Sequence, residues 1–146
     1  IGDYSKGIFL EIDGEVYMKP IEMRAEVLEN FDSLTSKELL SVPTIDVEKD
    51  TFSFGTITVN EKVTIPVKIT NKGKRNLIIR KVESDCTCTA AIIGNRIVGI
   101  NDSVILKIVF RPMGRYGRQY KTIKLYCNDP HLPVIKLIIH GDVTVN

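Results

Sequence analysis

The chain has no tryptophan, only two histidines and three cysteines among its 146 residues, and aromatic side chains make up just 7% of it. Each scarcity excludes something. His131, in an Asp129-Pro130-His131 turn, and His140, on the outward side of a strand, lie near no serine and acid that would complete a nucleophilic triad. Cys86, Cys88 and Cys127 form neither the even-numbered framework of a small secreted scaffold nor a paired C-x-x-C zinc pattern. No apolar run approaches the roughly 18 residues of a membrane-spanning helix. The first residues, Ile1-Gly2-Asp3-Tyr4, have neither the basic nor the apolar region of a signal peptide. A chain that starts at Ile1 reads as cropped or processed, so any export signal would lie upstream. There is no glycine-rich phosphate cradle, no HExxH-like metal motif and no pair of catalytic acids. No basic cluster with interleaved aromatics marks a nucleic-acid face. The expectation is a protein that is not an enzyme, takes no cofactor and binds no nucleic acid.

What remains is ordinary globular material: 43% apolar and 26% charged residues, enough for one domain or for one domain and a fragment of another. The net charge of +2 hides an asymmetry. Residues 1–45 carry four basic and nine acidic side chains, a net −5, whereas residues 46–146 carry sixteen and nine, a net +7. Two readings follow: an anionic partner such as a glycan, a lipid headgroup or an acidic protein, or two halves of one surface that attract each other.

From residue 52 onward the periodicity is that of strands. Val63, Ile65, Val67 and Ile69 alternate with Thr64, Pro66, Lys68 and Thr70, one face inward and one outward. Pro66 has no ladder donor, so that strand needs a free side or a bulge there. Leu77 to Val82 reads as the next strand. Ser103 to Arg111 repeats the alternation with Val104, Leu106, Ile108 and Phe110 inward, and Ile123, Leu125 and Cys127 share one side of another strand. Asn128-Asp129-Pro130 turns the chain into a last strand, Val134 to Val143, with Ile135, Leu137 and Ile139 toward the core. A leading strand at either Thr44 to Val47 or Phe52 to Ile57 and a short one at Thr89 to Ile93 bring the total to about seven. The fold class is all-β: an immunoglobulin-like, seven-stranded antiparallel β-sandwich over residues 44–146.

Residues 1–28 parallel the end of the chain. Gly2 to Leu10 matches Gly117 to Leu125 at Gly, Lys, Ile and Leu, and Ile21 to Val27 follows the apolar pattern of Leu137 to Val143. The segment is therefore expected to be the terminal β-hairpin of a partial, preceding copy, turned at Asp13-Gly14. An isolated hairpin is marginal in water, so it must pack on the complete domain or on a second chain, as in a homodimer through residues 1–28. Residues 29–43 read as a linker in which Thr35-x-x-Glu38 resembles a capping box.

The stretch from Phe54 to Val143 resembles a bacterial family of Ig-like domains of unknown function that is common in Bacteroidetes and related to the ASPM/Hydin and major-sperm-protein sandwiches. Phe54-Gly55-Thr56, Ile69-Thr70-Asn71-Lys72-Gly73, Cys86-Thr87-Cys88-Thr89, Gly117, Lys121-Thr122-Ile123, Asn128-Asp129-Pro130, Pro133 and Gly141-Asp142-Val143 carry the resemblance. Thr87 stands where members usually have Gly, and Ile100-Asn101 replaces a Pro-Gly turn. Asn101 can supply the left-handed conformation itself. The resemblance implies a periplasmic or cell-envelope protein, exported and in some cases lipoprotein-anchored, with the domain in tandem copies and no established activity.

Three groups of residues are candidate sites. Cys86 and Cys88 point to one face of an extended backbone and, with Cys127, can be a soft copper or zinc site, a disulfide, or small buried hydrophobes. Asp85 beside them disfavours a thiolate. Arg111, Arg115, Tyr116, Arg118 and Tyr120, around Pro112-Met113-Gly114, form a basic aromatic loop suited to an anionic or carbohydrate ligand. The functional expectation is a binding or structural module that contacts a protein partner or a neighbouring Ig-like repeat. A thiol- or metal-handling protein is the alternative.

Overall fold

Alternation decides the layers. In the computed structural model, which describes residues 1–145, the chain forms β1 (Gly2–Ile8), β2 (Glu11–Ile12), β3 (Glu15–Val16), β4 (Ile21–Val27), one helical turn α1 (Ser36–Leu39), β5 (Ile45–Val47), β6 (Thr51–Thr58), β7 (Val63–Asn71), β8 (Leu77–Ser84), β9 (Thr89–Ile93), β10 (Ile97–Val98), β11 (Ser103–Phe110), β12 (Gly117–Cys127) and β13 (Val134–Thr144). Strands β5 to β13 build a sandwich. One sheet has the order β10-β8-β12-β13-β6, the other β5-β7-β11-β9.

The expected sandwich is present, with two differences. It has nine strands among the described residues, because both candidate leading segments form and in different sheets. Ile45–Val47 pairs with β7, and after Glu48-Lys49-Asp50 the chain crosses so that Thr51–Thr58 pairs with β13. The ninth, β10, is two residues long, too short to show a period. The pairing is also not wholly antiparallel: β6 runs parallel to β13.

The inward positions are those the alternation marks. Ile69, Leu77, Leu106, Ile108, Phe110, Ile123, Leu125, Leu137 and Ile139 are fully buried between the sheets, each contributing about 1.5–3 kcal/mol relative to an exposed side chain. Phe54 stacks on Phe110 at 5.1 Å between ring centroids. Pro66 sits opposite Lys107 of β11, while β5 reaches only Ile69 to Asn71 on the other side of β7, so the missing donor faces an open edge. Asn101 adopts φ 62°.

Asn71 closes one end of the sandwich. Its side chain, fully buried, accepts from the amides of Gly73 (2.9 Å) and Thr44 (3.3 Å). It donates to the carbonyls of Arg75 (2.8 Å), Val98 (3.0 Å) and Gly99 (3.2 Å). One amide thus ties together backbone groups from the approach to β5, the β7–β8 turn and the end of β10. The segment between hairpin and sandwich is fastened as well. Thr35 and Glu38 complete a reciprocal capping box, Val42 and Pro43 are buried, and the amides of Lys72 and Lys74 donate to Thr44 and Val42.

Replacing Asn71 by Ala would leave several buried backbone groups unpaired, each worth about 1–3 kcal/mol. A loss of about 3 kcal/mol is expected in urea unfolding of the Asn71→Ala variant, against less than about 1 kcal/mol for Asn128→Ala.

Candidate functional site

Residues 1–28 form a separate two-stranded ribbon. β1 pairs with β4 over seven residues, from Gly2–Val27 to Ile8–Ile21. The tip turns at Asp13 (φ 52°) and Gly14 (φ 82°), the paired positive angles of a tight hairpin. Directly opposed residues share a face. One face therefore holds Gly2, Tyr4, Lys6, Ile8, Ile21, Met23, Ala25 and Val27, apolar apart from Lys6, and the other holds Asp3, Ser5, Gly7, Glu22, Arg24 and Glu26.

The polar face and its open end meet the outer surface of β8 and β12. Lys124 Nζ bridges Asp3 (2.8 Å) and Glu26 (3.1 Å), and the Tyr126 hydroxyl donates to the same Glu26 oxygen at 3.1 Å. The amide of Asp3 donates to Glu83 at 3.1 Å, Lys81 pairs with Glu83, and its ammonium lies 5.2 Å from the centre of the Tyr4 ring. Arg80 grips Glu29 with two bonds of 2.7 and 2.9 Å. The hydrogen bonds to Asp3 and then Glu26 push the Lys124 ammonium's pKa upward. Burial, then the bond to Glu26, does the same to the Tyr126 phenol. The acidic first part and the basic second part of the chain thus meet here. The apolar face of the ribbon stays uncovered, with Tyr4, Ile8, Ile21, Met23 and Val27 between 41% and 58% exposed.

The three cysteines do not converge. Cys86 and Cys88 are joined as a disulfide in the turn between β8 and β9. Cys127 is free, buried, and at the far end of β12. Asp85 donates its amide to Thr122, so Cys127 lies five residues further along an extended strand, a distance of about 16 Å at the usual rise. Same-side placement on a strand does not bring residues of different strands to one end. The three-thiolate arrangement is therefore not formed, and among the described residues no group of three potential metal ligands assembles. Burial pushes the Cys127 thiol from 9.0 up to about 11.

The basic loop residues also separate. Arg111 faces the outer side of the four-stranded sheet, its amide bonded to the Cys88 carbonyl at 2.9 Å. Arg115 turns back on Pro112, and Tyr116 stands exposed at the tip. Arg118 lies over Tyr120, which stacks on His140 across the β12–β13 ladder at 5.8 Å, on the outer side of the other sheet. The five residues do not line one cavity. His140 joins two of them because the β12–β13 register places it opposite Tyr120.

Residues 45–143 match the model of the family described as "Protein of unknown function (DUF1573)". The chain belongs to this family. No curated protein matches it by sequence. Among solved structures, a protein of unknown function from Porphyromonas gingivalis W83 superposes with a TM-score of 0.78 at 16% identity, covering 97% of this chain. This chain spans 66% of that structure's length, and the match extends into the ribbon. The ASH/PapD-like domain 7 of human CEP192 matches with a TM-score of 0.62 at 11% identity, over 84% of this chain and 98% of that one. The Vibrio cholerae VesB protease matches over 68% of this chain and 31% of its own, with 12% identity and a TM-score of 0.56. At these identities the likeness is one of fold: a PapD-like, Ig-like sandwich.

Two outcomes test this geometry. In Lys124→Gln the amides of β1 and β4 are expected to exchange faster with deuterium, while the unfolding midpoint of the sandwich stays that of the parent, as for an exposed ion pair. For Cys127, the unfolded chain releases its thiol proton near pH 9.0 whereas the folded chain holds it to about pH 11. Stability should therefore fall as pH rises through that window. The fall should be shallower in Cys127→Val, measured by denaturant unfolding across the same range.

Proposed function

We propose that the chain is a non-catalytic interaction module of a tandem array, in an exported cell-envelope protein, and that residues 1–28 are the last hairpin of the module before it. One observation carries this reading: the ribbon has the register of β12–β13. Placing Gly2 on Gly117 and Val27 on Val143 aligns all seven pairs of the ribbon with the first seven of the β12–β13 ladder, down to Ile8–Ile21 on Ile123–Leu137. Gly2 and Gly117 both have positive φ, 112° and 76°. The apolar face of the ribbon corresponds to the face that β12 and β13 turn to the core, where Ile123, Leu137, Ile139 and Val143 are buried. In the complete domain the two edges of this hairpin are taken by β8 and β6; in the ribbon no strand pairs with either edge. Ala25 occupies the position of Gly141, where an added Cβ would meet the Gly55 carbonyl and the Phe54 ring. The strand beside Ala25 in its own module must therefore leave more room than β6 leaves beside Gly141.

The exported location rests on the family resemblance and suits a bonded Cys86–Cys88 pair, since disulfides persist in oxidising compartments. That pair also favours the second reading, reversible thiol exchange, over metal handling. Reduction and reoxidation of Cys86–Cys88 at the potential of the compartment, followed by alkylation, would separate it from a permanent structural bond.

The array reading is tested by extending the chain upstream by one module length. The outer-edge amides of β1 and β4 should then become protected from exchange, and an upstream sequence that supplies no strands would sink the idea. In the isolated chain the uncovered face should drive self-association. Light scattering is expected to show a smaller particle for Met23→Lys and for a chain lacking residues 1–28, with the fold of residues 44–146 retained.

A further inference from the structure

The outer face of the four-stranded sheet is cationic and apolar, and its β9 edge is open. Outward positions on β7, β11 and β9 are Thr64, Pro66, Lys68, Ile105, Lys107, Val109, Ala90 and Ile92, with Lys62 and Arg111 at one end. None of Lys62, Lys68, Lys107 and Arg111 has an ion-pair partner among the described residues. Ile92 is 57% and Ile105 43% exposed. A shallow cavity of about 580 Å³ lies over this face, floored by Ala90, Ile92 and Val109 and flanked by Lys62 and Arg111, with no carboxylate in its lining.

Sheet edges are usually blunted by charge, proline, brevity or a bulge. In this sandwich β10 has two residues and β5 three, and β6 is bulged where Gly55 meets Gly141. The sequence of β9, Thr-Ala-Ala-Ile-Ile, has none of these devices. The ladder also tells which of its groups are free. Cys88 and Arg111 are joined by a backbone bond across the β9–β11 pair, so the alternation of an antiparallel ladder turns the N–H and C=O groups of Ala90 and Ile92 toward β11. Those of Ala91 and Ile93 point to the open side. Their side chains are half-buried at the rim of the core, whereas Ala90 and Ile92 face outward beside the cations.

We propose that β9 is a strand-addition site for an extended acidic segment of a partner protein, in which apolar residues alternate with carboxylates. Backbone bonds to Ala91 and Ile93 supply the pairing. The apolar side chains of the partner fall on the core rim next to Ala91 and Ile93. Its carboxylates fall on the outer face, where Lys107, directly across from Ile92 on β11, can lay its stem over that side chain and bring its ammonium to them. This site is independent of the ribbon and of the array.

The probe is the blocked peptide Val-Glu-Val-Glu-Val-Glu-Val, titrated into the isotopically labelled chain. Saturation is expected to slow exchange of the Ala91 and Ile93 amides at least about tenfold, and Lys107→Glu to weaken binding by about tenfold through loss of charge complementarity. The lysine analogue of the peptide, and a version methylated on alternate backbone nitrogens, should not bind. No binding at millimolar peptide would overturn the proposal. So would binding that leaves the Ala91 and Ile93 amides unchanged, or binding that Lys107→Glu and backbone methylation leave intact. Lys107 is exposed and unpaired, so melting of Lys107→Glu should match the parent and rule out a folding defect.

Discussion

Ten consecutive residue pairs hold β12 against β13, from Gly117–Val143 to Tyr126–Val134, and the five-stranded sheet takes its order from that ladder. β8 pairs with the outer edge of β12 and β6 with that of β13. The inward residues of the two central strands, Ile123, Leu125, Leu137 and Ile139, meet Leu106, Ile108 and Phe110 from the facing sheet. A slip of one residue would reverse every one of these positions. The same register reappears in the ribbon, whose two strands pair only with each other and whose apolar face is bare.

Electrostatics and hydrophobicity act on opposite sides of that ribbon. Its acidic side is matched by Lys124 and Tyr126 on the sandwich, which explains how a chain with a −5 first part and a +7 second part forms one object. Not all of the positive charge is used in this way. Lys62, Lys68, Lys107 and Arg111 lie on the other sheet, facing away from the ribbon, beside an edge strand with free backbone groups.

The strands with an unbroken period of two were legible in the sequence, and so were the inward residues they carry, the hairpin at Asp13-Gly14 and the capping box at Thr35. What escaped was whatever depends on which strands become neighbours. Nothing local tells that both Ile45–Val47 and Thr51–Thr58 form and divide between sheets, or that Cys127 ends far from Cys86. The basic loop is the clearest case. Five residues close in sequence read as one site, yet Arg111 and Arg118 follow strands of different sheets and face opposite sides of the sandwich. The cationic face was hidden for the converse reason: its members come from three segments that only the β7-β11-β9 order places side by side.

The parallel pairing of β6 with β13 has a mechanical meaning when the sandwich is pulled from its two ends. The chain enters the five-stranded sheet at the start of β6 and leaves at the end of β13, and the two strands run in the same direction side by side. Tension applied between the start of β6 and the end of β13 would pull these neighbours past each other lengthwise. The backbone bonds between them would share the load together instead of opening one at a time like a zipper, so the sandwich resists force applied along that direction.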